Sequence, residues 1–237
     1  SCGSYPEIFS VYVDECLKKF PQKRLSTYII TSNQLVATLS SKFPNSLPVG
    51  CKLFSMDAIG MYSNIESSHG TYAARKFTKL FGQNINNFNF PMTFITECLK
   101  VIMTENIFQF GSTWWQQKIG TAMGTPCACI YTTIFFAYFE RTYILPKYKN
   151  NIILYLRYID DIFIAWHNDN NNNNTFNSFN QDLNSQCKLT WITEKLNATT
   201  NFLDLTIKVD AYGNFHTKTY QKKENLFLYI PSHSAHP

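Results

Sequence analysis

The run Ile153-Leu154-Tyr155-Leu156-Arg157-Tyr158-Ile159, then Asp160-Asp161, then Ile162-Phe163-Ile164-Ala165-Trp166, constrains this chain more than any other stretch. Both flanks are nearly continuous in β-branched, aliphatic and aromatic residues. They read as buried strands, and the two acids between them as the tip of a hairpin. Adjacent aspartates have an ordinary use in turns, where the side chain caps the local backbone. Here the apolar flanks put at least one carboxylate beside a buried surface, where a charge needs a partner or a cation. The one basic residue nearby is Arg157, and on a strand it shares a face with Ile159 and points away from Asp160. A third acid ends a second run of the same kind, because Lys52-Leu53-Phe54-Ser55-Met56-Asp57-Ala58 reads as a buried strand that delivers Asp57.

Three carboxylates on two adjacent strands suit one task well. They can hold two divalent cations about 3.5–4 Å apart, both in contact with a transferring phosphoryl group. Hard oxygen donors select Mg²⁺, or Mn²⁺ in its place, and leave part of the coordination sphere to substrate phosphates. One ion would activate a primer 3′-OH, and the other would hold the triphosphate and the leaving pyrophosphate. The chemistry is in-line phosphoryl transfer, assisted by positioning and charge.

The rest of the chain supplies helices and further hairpins. Residues 5–45 read as helical, with one helix over Thr31–Lys42 capped by Ser32 or Asn33. Ser67–Phe81 and Pro91–Glu105 are two more, and Pro126–Tyr143 is a long apolar helix that ends before Pro146. Ile107–Phe110 and Trp114–Ile119 form a hairpin around Gly111. Residues 168–174 are nearly pure Asn and read as a solvated loop insertion. After it come a helix over Phe176–Ser185 and strands over Leu189–Thr193, Asn201–Val209 and Asn214–Gln221, the last two joined at Tyr212-Gly213. Strands in hairpins with helices between them, and no regular βαβ alternation, make the fold class α+β.

Composition narrows the class further. With 237 residues and 45% hydrophobic content the chain can build a core, and disorder is excluded as its overall state. A formal charge of +5 suits a polyanionic partner without demanding one. The seven cysteines are odd in number, scattered and without a CxxC pair, which argues against a secreted disulfide framework and for an intracellular protein. Cys127 and Cys129 lack a second ligand pair at zinc-finger spacing and read as small packing residues. No apolar stretch is long enough to span a bilayer, and the first residues do not have the pattern of a signal peptide. Lys18, Lys19, Lys23 and Arg24 near the start, and Lys218, Tyr220, Lys222 and Lys223 near the end, could grip a phosphate backbone or form solvated faces.

Several blocks carry a family resemblance. Phe54-Ser55-Met56-Asp57-Ala58-Ile59-Gly60-Met61-Tyr62-Ser63-Asn64-Ile65 resembles the first palm motif of reverse transcriptases, in the form used by Penelope-like retroelements. Gln117-Lys118-Ile119-Gly120-Thr121-Ala122-Met123-Gly124-Thr125-Pro126 resembles their second motif, and Arg157-Tyr158-Ile159-Asp160-Asp161-Ile162-Phe163 their third. Phe202-Leu203-Asp204-Leu205, Tyr220-Gln221-Lys222 and Ser234-Ala235-His236-Pro237 resemble later signatures in the same order. The resemblance runs from about residue 20 to the end.

It implies a polymerase palm, an antiparallel sheet with packed helices, over residues 51–237, and part of the fingers over residues 1–50. It implies an RNA-directed DNA polymerase of a retroelement that uses an RNA template, a DNA primer and dNTPs with Mg²⁺. The location would be the nucleus if the chain belongs to such an element. By the resemblance, Asp57 and Asp160 are the main metal ligands, with Asp161 beside them and the Ala58 carbonyl completing one site. Tyr62 would exclude the 2′-OH of a ribonucleotide, its other reading being a core aromatic. Met123 and Gly124 would face the nucleotide. Gly120 would let template or primer approach, the other reading of both glycines being ordinary turns. Tyr158 and Ile159 would floor the primer terminus. Ser63, Glu66 and Cys129 depart from the family pattern, and no fingers block that brings Lys or Arg to the triphosphate is found upstream of residue 20. The chain is therefore expected to be a fragment that polymerises poorly alone. The competing readings are an RNA-directed RNA polymerase, against which Tyr62 argues, and a decayed or domesticated copy that binds nucleic acid without catalysis.

Overall fold

Four antiparallel strands form the central sheet. They are β1 (Cys51–Ala58), β4 (Ile152–Tyr158), β5 (Asp161–His167) and β6 (Trp191–Thr193), in the order β4-β5-β1-β6. The computed structural model describes residues 5–18, 20–81, 92–121, 124–167 and 174–221. Antiparallel sheets commonly alternate apolar and polar residues because one face meets water. This one does not, because both faces are covered. On one face Phe54, Met56, Ile162, Ile164 and Trp166 join a core with α1 (Tyr5–Leu17), α5 (Ser67–Phe81), α6 (Met92–Thr104), α7 (Ala128–Phe139) and α9 (Asn174–Cys187). On the other face Leu53, Phe163, Ala165, Leu154 and Leu156 pack with Ile29 and with Leu35 and Leu39 of α3 (Ser32–Lys42). Phe202, Ile207 and Val209 of a second sheet complete that side. Residues 13–25 share the first core with β1, so the segment before residue 51 is packed against the rest.

The second sheet is β7 (Thr199–Phe202), β8 (Leu205–Val209) and β9 (Phe215–Thr219). Here the structure corrects the sequence reading, because Asn201–Val209 is not one strand. Phe202 pairs with Leu205 around the turn Leu203-Asp204, and Leu203 takes φ 53°. No glycine or asparagine marks that turn, so the usual signal is missing. At the β8–β9 connection Gly213 has φ +87° and its Cα lies where a Cβ would sit 2.3 Å from the Leu47 carbonyl oxygen.

The remaining elements follow their local chemistry. Thr31, one residue before the expected cap, caps α3 by accepting from Gln34 N at 3.4 Å, while Gln34 Oε1 accepts from Ile30 N at 2.7 Å. That is a Thr-x-x-Gln capping box displaced by one backbone donor. The N-terminal helical stretch is three helices, with α2 (Phe20–Arg24) between α1 and α3. A short helix, α4 (Met61–Asn64), follows β1 after Gly60 in the left-handed region at φ 53°. The hairpin β2 (Ile107–Phe110) and β3 (Thr113–Gln116) lies apart from the central sheet, with its second strand shorter than expected. Helix α7 is buried nearly all round, as its unbroken apolar sequence requires. It runs into a π-helical turn, Glu140–Ile144, and then α8 (Leu145–Lys147), whose first turn accommodates Pro146. Helix α9 starts at Asn174 and ends at Cys187, longer than expected at both ends, and the Asn-rich residues 168–173 lie outside the described residues. No helix among the described residues is long and apolar enough to cross a membrane.

Candidate active site

The acids stand where the cover over one sheet face runs out. Side chains of Leu53, Ser55 and Asp57 share a face of β1, and burial falls along that row from buried to half-buried to exposed. On β5 the same face carries Ala165, Phe163 and then Asp161. The register places Asp57 opposite Asp161, so the two carboxylates project from one end of one face. Directly opposed residues on antiparallel strands lie about 4.5–5.5 Å apart at Cα. The register thus brings two carboxylates together at one end of the sheet.

Asp160 occupies the turn. Tyr158 pairs with Asp161, leaving Ile159-Asp160 as a two-residue loop, and Ile159 takes φ 51°. The left-handed region is strained for a β-branched residue, by about 1–3 kcal/mol. Arg157 holds this turn from beneath. Its guanidinium donates from Nη1 to the Ile159 carbonyl at 2.8 Å, and from Nε and Nη2 to the Glu140 carboxylate at 2.8 and 2.9 Å. Nη2 also reaches the Thr133 carbonyl at 3.3 Å, and the guanidinium lies over the Phe136 ring at 5.0 Å. Arg157 and Glu140 are both fully buried. The sequence reading sets Arg157 on the face away from Asp160; in the structure Arg157 is buried against Glu140 and bonded to the Ile159 carbonyl. Its partner Glu140 was missed, because a glutamate at the end of an apolar helix reads as an exposed terminus.

Tyr62 sits on α4, half-buried beside Cys129 and Thr132 of α7 and within electrostatic range of Asp160. Burial pushes its phenol up to about 12, and the neighbouring Cys129 and Asp160 add to the shift. The segment carrying Tyr62 is clamped by the second motif. Thr121 N donates to the Tyr62 carbonyl at 2.6 Å and Gly120 N to the Ile65 carbonyl at 2.8 Å. Gly120 has φ +82°, and a Cβ there would lie 2.6 Å from the Tyr62 carbonyl oxygen and 2.7 Å from the Ser63 backbone. Its lack of a side chain thus serves the packing of Tyr62's own loop. Gly124 is different, with φ +91° and no described residue within 4 Å of its missing Cβ. Ala58, the last residue of β1, lies opposite Trp191 of β6, and Tyr158 is half-buried against the second core. Met123, like Ser234 to Pro237, lies outside the described residues.

Among the described residues, no three His, Cys, Asp or Glu side chains are grouped as an all-protein metal cage would need. Asp57 and Asp161 are brought together in register, while Asp160 stays one residue away on the turn. A Mg²⁺ ion that takes one or two carboxylates and completes its sphere with water and substrate phosphates would be held by the opposed pair. The six cysteines described are all free thiols. Of the basic clusters, Lys18 is tied to Glu15, and Lys19, Lys222 and Lys223 lie outside the described residues.

Comparison with known proteins adds the fold. No family model matches the sequence, and no curated protein sequence matches it. Solved structures do. Telomerase from Candida albicans in complex with a fragment of telomeric RNA matches with a TM-score of 0.59 at 12% identity, over 90% of this chain and 38% of that one. Apo telomerase from Candida tropicalis matches with a TM-score of 0.62 at 10% identity, over 90% and 40%. A form of the latter truncated of its C-terminal domain matches with a TM-score of 0.56 at 14% identity, over 91% and 45%. The chain thus spans less than half the length of each of these telomerases. At these identities the likeness is one of fold alone, an α+β fold of helices and antiparallel strands shared with these telomerases, and the α+β class expected from the sequence is the one observed.

Proposed function

We propose that this chain is the palm-bearing part of an RNA-directed DNA polymerase, of the Penelope-like retroelement group, which extends a DNA primer from dNTPs on an RNA template. The observation that carries the reading is the opposition of Asp57 and Asp161 in register, at the uncovered end of a buried sheet, with Asp160 on a strained turn beside Tyr62. Two opposed carboxylates with a third one residue away are oxygen donors of the kind a divalent cation takes.

In this reading Asp57, Asp160 and Asp161 hold two Mg²⁺ ions, and when bound these supply charge stabilisation for in-line phosphoryl transfer. The chain's own residues do the positioning. Arg157 fixes the Ile159 carbonyl and so the direction of Asp160. Gly120 and Thr121 hold the loop that carries Tyr62, whose ring stands where a ribose 2′-OH would collide. Gly124 leaves its backbone open to a nucleotide. Ala58, Tyr158 and Ile159 line the remaining approach, and the family resemblance adds Met123 to the nucleotide side.

Primer extension tests this directly. With Mg²⁺ or Mn²⁺, an RNA template and a DNA primer, Asp57→Asn should lower extension by about 10²–10³-fold, the scale of losing one strong electrostatic stabiliser. Tyr62→Ala should raise rNTP use relative to dNTP. Extension that survives Asp57→Asn would exclude these acids as the site. Nucleic-acid binding without extension by any form of the full-length protein would favour the non-catalytic copy.

A further inference from the structure

We propose that the groove between α5 and α6, with Trp114 at its edge, holds a single-stranded stretch of polynucleotide. The polymerase reading above enters only in naming that strand as the template.

The groove encloses about 610 Å³, within the range of ligand clefts. Arg75, Lys100 and Lys118 line it, together with Tyr72 and five serine and threonine hydroxyls. Arg75 and Lys100 make no ion pair among the described residues, and Lys118 is bonded only to the neutral Gln116 side chain. Two acids also line the groove. Glu66 is already engaged by the Ser68 hydroxyl and has Lys188 at 4.0 Å, which leaves Glu97 as the acid facing three cations. The five hydroxyls already donate to backbone carbonyls or to Glu66, so the three cations are the groups that would bind phosphate oxygens.

The second half of the site is aromatic. Pairing in the β2–β3 hairpin, Ile107 with Gln116 and Gln109 with Trp114, puts Trp114 and Gln116 on the same face. Gln116 Nε2 donates to the carbonyl of Thr104, a groove residue, at 2.8 Å, and Gln116 Oε1 accepts from Lys118. The face that carries Trp114 is therefore the groove side. Trp114 is 69% exposed, and Trp115 points to the opposite face with Phe108. A positively charged groove that tracks a backbone, with an exposed ring to stack a base, is the general solution for gripping single strands. The groove also adjoins the candidate site. Its end residue Glu66 is bridged to Ile119, the neighbour of Gly120, which packs on the loop of Tyr62.

The test is binding of short oligo(rU) and oligo(dT), without nucleotides or divalent cations, so that it is independent of polymerisation. Trp166 and Trp191 are buried, so quenching of tryptophan emission reports the exposed pair. Both oligonucleotides should quench, because stacking and phosphate contacts do not read the 2′-OH. Trp114→Leu should remove the quench and weaken binding about tenfold, the equivalent of about 1.4 kcal/mol of stacking. Trp115→Leu should retain the quench. Arg75→Gln, Lys100→Gln and Lys118→Gln together should lower the salt slope of log K by about 2, at roughly 0.7 per phosphate contact. All five positions are exposed, so these variants should keep the wild-type fold, which circular dichroism checks. Equal loss from Trp114→Leu and Trp115→Leu, or an unchanged salt slope in the triple variant, would overturn the proposal. So would a Trp114→Leu effect confined to self-association, which would assign the ribbon to a protein contact. A full-length protein that binds as described but never extends a primer would sink the polymerase reading and leave this one standing.

Discussion

Replacing Glu140 by Gln tests the part of the site that is most deeply built in. The Glu140–Arg157 pair is fully buried on both sides and bidentate, at 2.8 and 2.9 Å. Gln keeps the shape and one acceptor but removes the charge, leaving a guanidinium buried without a counter-ion. Breaking such a pair from one side costs about 3–5 kcal/mol, a large share of the 5–15 kcal/mol typical of folded proteins. With an m-value of about 2–3 kcal/mol/M in urea, the unfolding midpoint should fall by roughly 1–2.5 M. The surface pair of Lys147 and Asp182 provides the contrast. Lys147 is 59% exposed, so Lys147→Met should cost less than about 1 kcal/mol.

The double variant Glu140→Leu/Arg157→Met separates stability from positioning. Replacing both charges by apolar groups of similar volume is often neutral or stabilising, so the urea midpoint should recover most of the way. The anchor on the Ile159 carbonyl is lost all the same. Under the polymerase reading primer extension should then stay low in a well-folded protein, with kcat reduced more than the KM for dNTP rises. A Glu140→Gln midpoint within about 0.3 M of wild type would refute the account of the pair, because m-values of this size then leave less than about 1 kcal/mol. A double variant with full stability and full extension would refute the positioning role of Arg157.

Three further outcomes follow from single residues. Gly124→Ala should cost about 1–2 kcal/mol, the left-handed penalty alone, because its missing Cβ meets no described residue. Gly120→Ala should cost about 1–3 kcal/mol more, because its Cβ would strike the Tyr62 and Ser63 backbone, and chemical denaturation of the two variants side by side reads the difference. The Asp210 carboxylate, bonded first by the Asn214 side chain and then by the Asn214 and Tyr212 backbone, is held down at about 2. That lies below the ordinary value near 4, so its stabilisation is complete above about pH 4 and is lost as pH falls through 2. Asp210→Asn should be less stable than wild type at pH 7, and the two should converge near pH 2. Burial pushes the Cys51 and Cys127 thiols up to about 11, so both should resist alkylation at pH 8 until the protein is unfolded.

Much of this arrangement was legible in the sequence wherever burial alone decided it. β1, β4 and β5 are apolar because both faces of their sheet are covered, and α5 spans the residues its periodicity marks. What stayed hidden depended on partners distant in sequence. Glu140 is buried only because a π-helical turn carries it to Arg157, seventeen positions along the chain, and nothing local announces that turn. The α5–α6 groove was hidden for the opposite reason. Its serines, threonines and lysines look like the solvent faces of amphipathic helices, and only packing makes them walls. The turn at Leu203-Asp204 was missed because its positive φ falls on a leucine.

That missed turn clarifies what makes the first one a site. Tyr158-Ile159-Asp160-Asp161 and Phe202-Leu203-Asp204-Leu205 are both two-residue hairpin turns, each with an aliphatic residue at φ 51° or 53° followed by an aspartate. Strain in the backbone is therefore not what distinguishes a functional tip in this protein, since it occurs twice. Register is. Leu205 pairs with Thr219, which places a neutral residue beside that turn, whereas Asp161 pairs with Asp57 and concentrates acids at the end of the sheet. Only the first turn, moreover, has a buried guanidinium bonded to its strained carbonyl. If the opposition of carboxylates rather than the turn creates the site, added Mg²⁺ should raise the thermal unfolding midpoint of the wild type, and Asp161→Asn should shrink that rise by removing one of the two opposed donors. Asp204→Asn should leave the rise unchanged. Thermal unfolding with and without Mg²⁺ reads both, and a rise lost in Asp204→Asn but kept in Asp161→Asn would show that the site had been placed in the wrong hairpin.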